Sequence, residues 1–173
     1  MTPAGIVVRP ITLADIDGFR SCVGAVMLER EYLAFLEPFP LVRTATFVAA
    51  NIESGNPQLV ADDNGRIVGW CDVHRENIPI YAHDGMLGMG VLADYRGHGL
   101  GEQLIRATLD AARDAGFERV SLSVYARNTR AAALYRKVGF VMEGTRVRGK
   151  KLDGEYDDIH MMAFFIDHGS PSR

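Results

Sequence analysis

A chain of 173 residues fits one domain, and an apolar fraction of 47% supplies a core while excluding a disordered composition. The net charge of −3 provides no global positive field for nucleic acid or an anionic membrane, so phosphate recognition must be local. Membrane-length apolar runs and a signal-peptide pattern are absent, and Cys22 and Cys71 read as reduced core thiols of a cytoplasmic protein.

In chain order, a β-branched strand at residues 5–9 stops at Pro10. Thr12 followed by Asp15 is a capping-box signal for a helix over about 12–30. Pro38 and Pro40 make 32–40 an irregular aromatic connection, and a second helix follows over about 42–53. Residues 58–61 and 66–74 read as strands joined by an Asn64-Gly65 hairpin turn. A polar loop over 75–84 leads to a strand at 86–92.

After that strand comes Arg96-Gly97-His98-Gly99-Leu100-Gly101, then a helix with an apolar stripe at Leu100, Leu104, Ala107, Ala111 and Ala115. Residues 119–125 alternate as a strand. Asn128 suits the N-cap of a short helix that buries Ala131, Leu134, Tyr135 and Val138, with Gly139 ending it. Strands over about 140–148 and 156–165 close the chain, joined by a Leu-Asp-Gly-Glu turn. The predicted order β-α-α-β-β-β-α-β-α-β-β implies an α/β fold, a mixed central sheet with helices on both faces. A single domain over 1–173 is expected, with its core over about 6–165 and a frayed tail at 169–173.

The hexapeptide Arg96–Gly101 carries the chemistry. Its glycines let the backbone approach a ligand, and the helix behind contributes its amides and the positive end of its dipole. Gly88-Met89-Gly90-Val91-Leu92-Ala93 has the Gly-x-Gly-x-x-Ala form of a dinucleotide-binding fold. Those glycines fall inside a strand, however, and the Gly97-x-Gly99 frame meets Glu102 where that motif needs glycine.

The form Arg-x-x-Gly-x-Gly between strand and helix, followed by Asn128, Tyr135 and Gly139-Phe140, resembles the GNAT superfamily of acyl-CoA-dependent N-acetyltransferases. The resemblance is most specific over residues 86–140. It implies a mostly antiparallel sheet and acetyl-CoA as the acyl donor. It further implies that the amides of Gly97, His98, Gly99, Leu100, Gly101 and Glu102 hold the pyrophosphate, with Arg96 shaping the turn. The strand Met89, Gly90, Val91 would pair with the pantetheine arm, helped by a bulge at Gly88 or Gly90. By the same resemblance, Asn128 contacts the cofactor and Tyr135 protonates the departing thiolate. The expected function is acetyl transfer to a primary amine by direct attack in a ternary complex. A non-catalytic acyl-CoA sensor is the alternative.

The acceptor side is less marked. Trp70, Asp72 and His74 share a face of one strand, and His83 lies just before the cofactor strand, so Asp72, His74 and His83 are candidates for proton relay. Glu31 and Tyr32, with Glu29 and Glu37 nearby, would suit a cationic amine. The acceptor is then a small-molecule amine or amino acid, or a protein amino group, and a homodimer is compatible with the late apolar strands. No metal is expected, because no ligand cluster of the usual spacing occurs.

Overall fold

The computed structural model describes residues 5–76 and 78–167. In chain order the elements are β1 (Ile6–Pro10), α1 (Ile16–Leu28), α2 (Leu41–Ser54), β2 (Gln58–Asp63), β3 (Arg66–Arg75), β4 (Asp84–Val91), α3 (Leu100–Asp114), β5 (Arg119–Tyr125), α4 (Thr129–Val138), β6 (Val141–Leu152) and β7 (Glu155–Phe165). This is the order read from the sequence; the 169–173 tail lies outside the described residues. Seven strands form one sheet, β1-β2-β3-β4-β5-β7-β6, antiparallel at every pair except β4–β5. No helix among the described residues is long and apolar enough to cross a membrane.

Local chemistry sets the element ends. The Thr12 N–H donates to Asp15 at 2.8 Å, but the segment it caps is a 3-10 turn over Leu13–Asp15, after which α1 begins. In the β2–β3 turn Asn64 and Gly65 both have positive φ, 51° and 90°, as a tight hairpin requires. The register of that hairpin shifts where Val68 is an extra residue on β3.

The alternation of the strands builds two apolar layers. Leu59, Cys71, Val73, Leu87 and Val91 face α3 and α4, packing with Leu104, Ile105, Phe117 and Tyr135. Val60 and Trp70 face the other way, against Phe19, Cys22 and Val26 of α1 and Val48 of α2. The two cysteines therefore sit in opposite layers and both are free. Burial raises both thiols, Cys22 to about 12. The buried arc of α3 is rotated from the stripe read in the sequence: Ile105, Thr108, Leu109 and Ala112 join Leu100 and Leu104, while Ala107, Ala111 and Ala115 pack at its margin. The larger side chains win the face against the sheet.

One feature of the sheet positions everything that follows. β4 and β5 pair over only three residues, Asp84↔Arg119, Gly85↔Val120 and Met86↔Ser121. Beyond Met86 the two strands part. β4 keeps unbroken antiparallel register with β3 along its length, so the bulge expected at Gly88 or Gly90 is not present. The glycines have another cause: a methyl at residue 90 would overlap the Trp70 ring, and one at residue 88 would stand 3.4 Å from Asp72 Oδ1. At the closed end of the split, a methyl at residue 85 would overlap Val73 and come within 2.6 Å of the fully buried Phe117 ring. We expect Gly85→Ala to lower stability by about 1–3 kcal/mol through overpacking, read as a lower urea midpoint at unchanged m-value.

Candidate active site

The divergence of β4 from β5 opens a V in the middle of the sheet. Its arms are the Leu87–Val91 part of β4 and the Leu122–Tyr125 part of β5, whose facing main-chain groups have no partners in each other. Such unpaired edges bind an extended, amide-bearing molecule as a strand would. At the apex of the β4 arm the chain makes a short 3-10 turn, Ala93–Tyr95, and enters the glycine-rich segment.

Gly97 and Gly99 each have φ of 84°, the left-handed region that lets consecutive amides turn toward one point. The first bond of α3 runs from the Gln103 N–H to the Gly99 carbonyl at 3.1 Å, which leaves the amides of residues 97–102 ahead of the helical ladder. His98 is exposed, and Leu100 is buried in the core beneath. A methyl at Gly101 would stand 3.2 Å from Leu134 and 3.5 Å from Met89, so this glycine lets the N-terminus of α3 sit close to α4 and β4. Glu102 is held by Arg106 and by Lys137 of α4, at 3.0 and 2.6 Å, and both cations lower its pKa. Arg130, which the sequence reading passed over, lies above the cradle: a methyl at Gly97 would be 3.4 Å from its Nη2. Its only signal in sequence was its place two residues after Asn128.

Arg96 is committed within the fold. Its Nε donates to the Val91 carbonyl at 2.7 Å, its two Nη atoms donate to Glu29 at 2.8 and 2.6 Å, and its guanidinium stacks over Tyr32 with 4.9 Å to the ring centroid. It thus shapes the turn, and its charge is already matched. The same geometry commits one carboxylate expected to face a cationic amine, that of Glu29, within the fold. Glu29 answers Arg96, and burial, with the Glu31 carboxylate adding to it, raises the Tyr32 phenol above its ordinary value. The connection is a wall tied to the cradle.

On the α3–α4 side, the Asn128 side chain accepts from the Ala131 N–H at 3.2 Å as the N-cap of α4. Tyr135 points into the core with its ring 5.7 Å from that of Phe140. Burial, with a smaller contribution from Cys71, raises its phenol well above the ordinary value. Cys71 is the β3 partner of Met89, so the hydroxyl lies toward the splayed half of β4.

On the α1–α2 side, Trp70 and Asp72 lean across β4 in the space its glycines vacate. His74 follows on the same face, its Nδ1 3.4 Å from Asp72 Oδ2. His83 is not with them: it is exposed ahead of β4, at the end opposite the cradle, where its carbonyl accepts from the Glu118 and Arg119 N–H groups. A feature missed in sequence is the tip of the β6–β7 hairpin, which folds back over the α1–α2 connection. Arg30 pairs with Asp153 at 2.9 Å, and Lys150 Nζ donates to the Glu31 carbonyl at 3.3 Å while sitting 4.0 Å from the centroid of the Tyr125 ring. A cation thus stands at the outer end of β5. No cluster of three or more metal-ligating side chains occurs among the described residues.

Comparison with known proteins agrees with this geometry. The acetyltransferase (GNAT) family profile matches residues 25–140. The chain is 30% identical to the L-amino acid N-acetyltransferase AaaT of Escherichia coli, over 63% of this chain and 68% of that protein. It is 32% identical to the N-alpha-acetyltransferase RimI of Mycobacterium tuberculosis, over 84% of this chain and 85% of that one. Two uncharacterized N-acetyltransferases of Bacillus subtilis, YdgE and YycN, are matched over only 57% and 54% of their own length. In fold, the chain superposes on the yncA acetyltransferase of Salmonella typhimurium, solved with its cofactor acetyl-CoA, with a TM-score of 0.89. That match covers 96% of this chain and 97% of the other at 18% identity.

The hub role of Arg96 has a measurable consequence. Arg96→Leu leaves the Val91 carbonyl and Glu29 without their donor and should cost about 1–3 kcal/mol of stability. Arg130→Leu, at an exposed position, should stay within about 0.5 kcal/mol of the parent. Paired urea titrations distinguish the two.

Proposed function

Starting from the fact that the chain belongs to the acetyltransferase (GNAT) family, we propose that it transfers an acetyl group from acetyl-CoA to a primary amine by direct attack within a ternary complex. The observation that carries this reading is the V between β4 and β5 ending at a cradle of main-chain amides. The residues fit acetyl-CoA. The amides of Gly97–Glu102 would hold the pyrophosphate, with Arg130 adding charge at the rim, and Asn128 lies at the start of the next helix. The main chain of Met89 and Val91 would pair with the pantetheine amides, and Gly90 keeps that track narrow enough for Trp70 to back it. When bound, the donor supplies an activated thioester carbonyl.

The chain's own groups then have defined tasks. A main-chain N–H of the Met89–Val91 track would stabilise charge developing on the carbonyl oxygen. Tyr135 would protonate the departing sulfur. Its burial keeps the phenol protonated across the working pH range, and a raised acid next to a thiolate transfers its proton only as charge develops there. Neither cysteine supports a covalent acyl-enzyme, because burial holds both as thiols.

For the acceptor, we take the amine of a small amino-acid-like molecule. The support is Lys150, fixed over Tyr125 at the outer end of the V, where it can meet a carboxylate that leaves the amine pointing inward. The likeness to the L-amino acid N-acetyltransferase AaaT points the same way.

An amine panel with acetyl-CoA, read by thiol release, tests the reading directly. We expect turnover with amino acids; tight acetyl-CoA binding with no thiol release on any amine would indicate a sensor instead. Tyr135→Phe should lower kcat by about 10²-fold while the acetyl-CoA Kd measured by calorimetry stays near that of the parent. Lys150→Met should raise the acceptor KM about tenfold, the worth of one charge-assisted contact, and leave the acetyl-CoA KM unchanged. An equal effect on amines that lack a carboxylate would contradict the role given to Lys150.

A further inference from the structure

Two ionisable side chains on the α1–α2 face of β3 are used by neither the cradle nor the leaving-group side. Asp72 is 4% exposed, an unusual place for a carboxylate, which is withdrawn from water only where a partner compensates. Its carboxylate lies over Gly88, in the part of β4 that has already parted from β5. Its partner is His74 Nδ1 at 3.4 Å. On β2 the residue opposite Asp72 is Gln58, whose Oε1 accepts from Asn51 while its Nε2 is buried with no hydrogen-bond partner. The polar patch around Asp72 is thus built into the sheet and incompletely satisfied from within.

His74 is the outward member of the pair, with its side chain 39% exposed. The Phe47 ring of α2 stands edge-on to the imidazole at 6.0 Å between centroids and limits its rotation. With Nδ1 turned to Asp72, Nε2 is on the far side of the ring. A carboxylate on Nδ1 selects the tautomer with the proton there and leaves Nε2 as the acceptor.

We propose that His74 is the proton acceptor for the incoming amine and that Asp72 is the positioning residue that orients it. The proposal rests on the acetyl-transfer reading above. The acceptor enters as an ammonium ion. One N–H bond breaks, its proton forms a bond to His74 Nε2 directly or through a water, and the nitrogen lone pair is released for attack on the thioester carbonyl. The imidazolium, facing the Asp72 carboxylate, passes that proton to bulk water from its exposed edge. The second proton lost from nitrogen as the amide forms passes through water to the Tyr135 phenolate left when sulfur was protonated, so both side chains return to their starting state.

The groups bearing on His74 favour its cationic form. The hydrogen bond that His74 donates to Asp72 raises its pKa most, burial opposes this, and the charges of Asp72 and Glu76 add to the rise. Asp72 itself is raised by burial, against the effect of His74. The neighbours facing the imidazole from other elements are uncharged: Phe47 of α2 and Met86 of β4. A base of this kind is active when neutral, so turnover should fall as pH drops through a midpoint above the ordinary histidine value of about 6.5.

The test is kcat against pH at saturating acetyl-CoA, with two acceptors whose amines differ in pKa, for the parent, His74→Gln and Asp72→Asn. Thermal melts establish that each variant is folded. The proposal expects an acidic limb with one midpoint for both acceptors. His74→Gln should remove that limb and lower kcat about 10²-fold, and Asp72→Asn should keep the limb but move it to lower pH. Should Asp72→Asn fail to fold, Asp72→Glu, which restores a carboxylate, replaces it and should keep the limb in place. A limb that persists in His74→Gln, or one that follows the pKa of the acceptor, overturns the proposal. A parent enzyme that releases no thiol with any amine overturns instead the transfer reading on which it rests.

Discussion

The arrangement turns on a pairing that stops. β4 and β5 hold together over three residue pairs and then separate, and each functional group described above is placed relative to that separation. Unpaired strand edges inside a protein are costly unless something satisfies their amides and carbonyls. Here the open edges face one another across the split. Cβ-free positions keep the gap's walls thin: Gly85 packs the closed end against Val73 and Phe117, and Gly88 and Gly90 admit Asp72 and Trp70 over the open arm.

From that split two sides follow. On the α3–α4 face lie the amide cradle, Asn128 and the buried Tyr135; on the α1–α2 face lie Trp70, Asp72, His74 and the hairpin tip with Lys150. The α3–α4 side holds a phenol kept protonated by burial. On the opposite face the Asp72–His74 pair reaches water through the half-exposed imidazole. Arg96 links the two sides, since it bonds the end of β4, the end of α1 and the ring of Tyr32 at once. The cradle and the α1–α2 connection are therefore tied together through one side chain.

Much of this was legible in the chain because it is local. Hydrophobic periodicity, Asn64-Gly65, the Asn128 cap and the glycine-rich turn each report on neighbours a few residues away, and the element order follows from them. What was not legible depends on partners far apart in sequence. Arg96 and Glu29 are 67 residues apart, and nothing near either marks the pair, so Glu29 looked available to a substrate. Gly88 and Gly90 suggested a bulge, because glycine in a strand signals either a bulge or a close approach, and only the position of Trp70 and Asp72 decides between them. The α3 stripe was misread by part of a turn because alanines satisfy the periodicity without fixing which arc faces the sheet. The place of the β6–β7 tip was hidden because its contacts, Arg30 with Asp153 and Lys150 with Glu31, join residues 123 and 119 positions apart.

The central claim is that the V and its cradle form the acyl-donor site. Amide hydrogen exchange with and without acetyl-CoA tests it at single-residue resolution. The account predicts protection concentrated at Met89, Val91 and the amides of residues 97–102, with β1 and β2 unchanged. Acetyl-CoA that binds without slowing exchange at those amides, or that protects a different edge of the sheet, would contradict it.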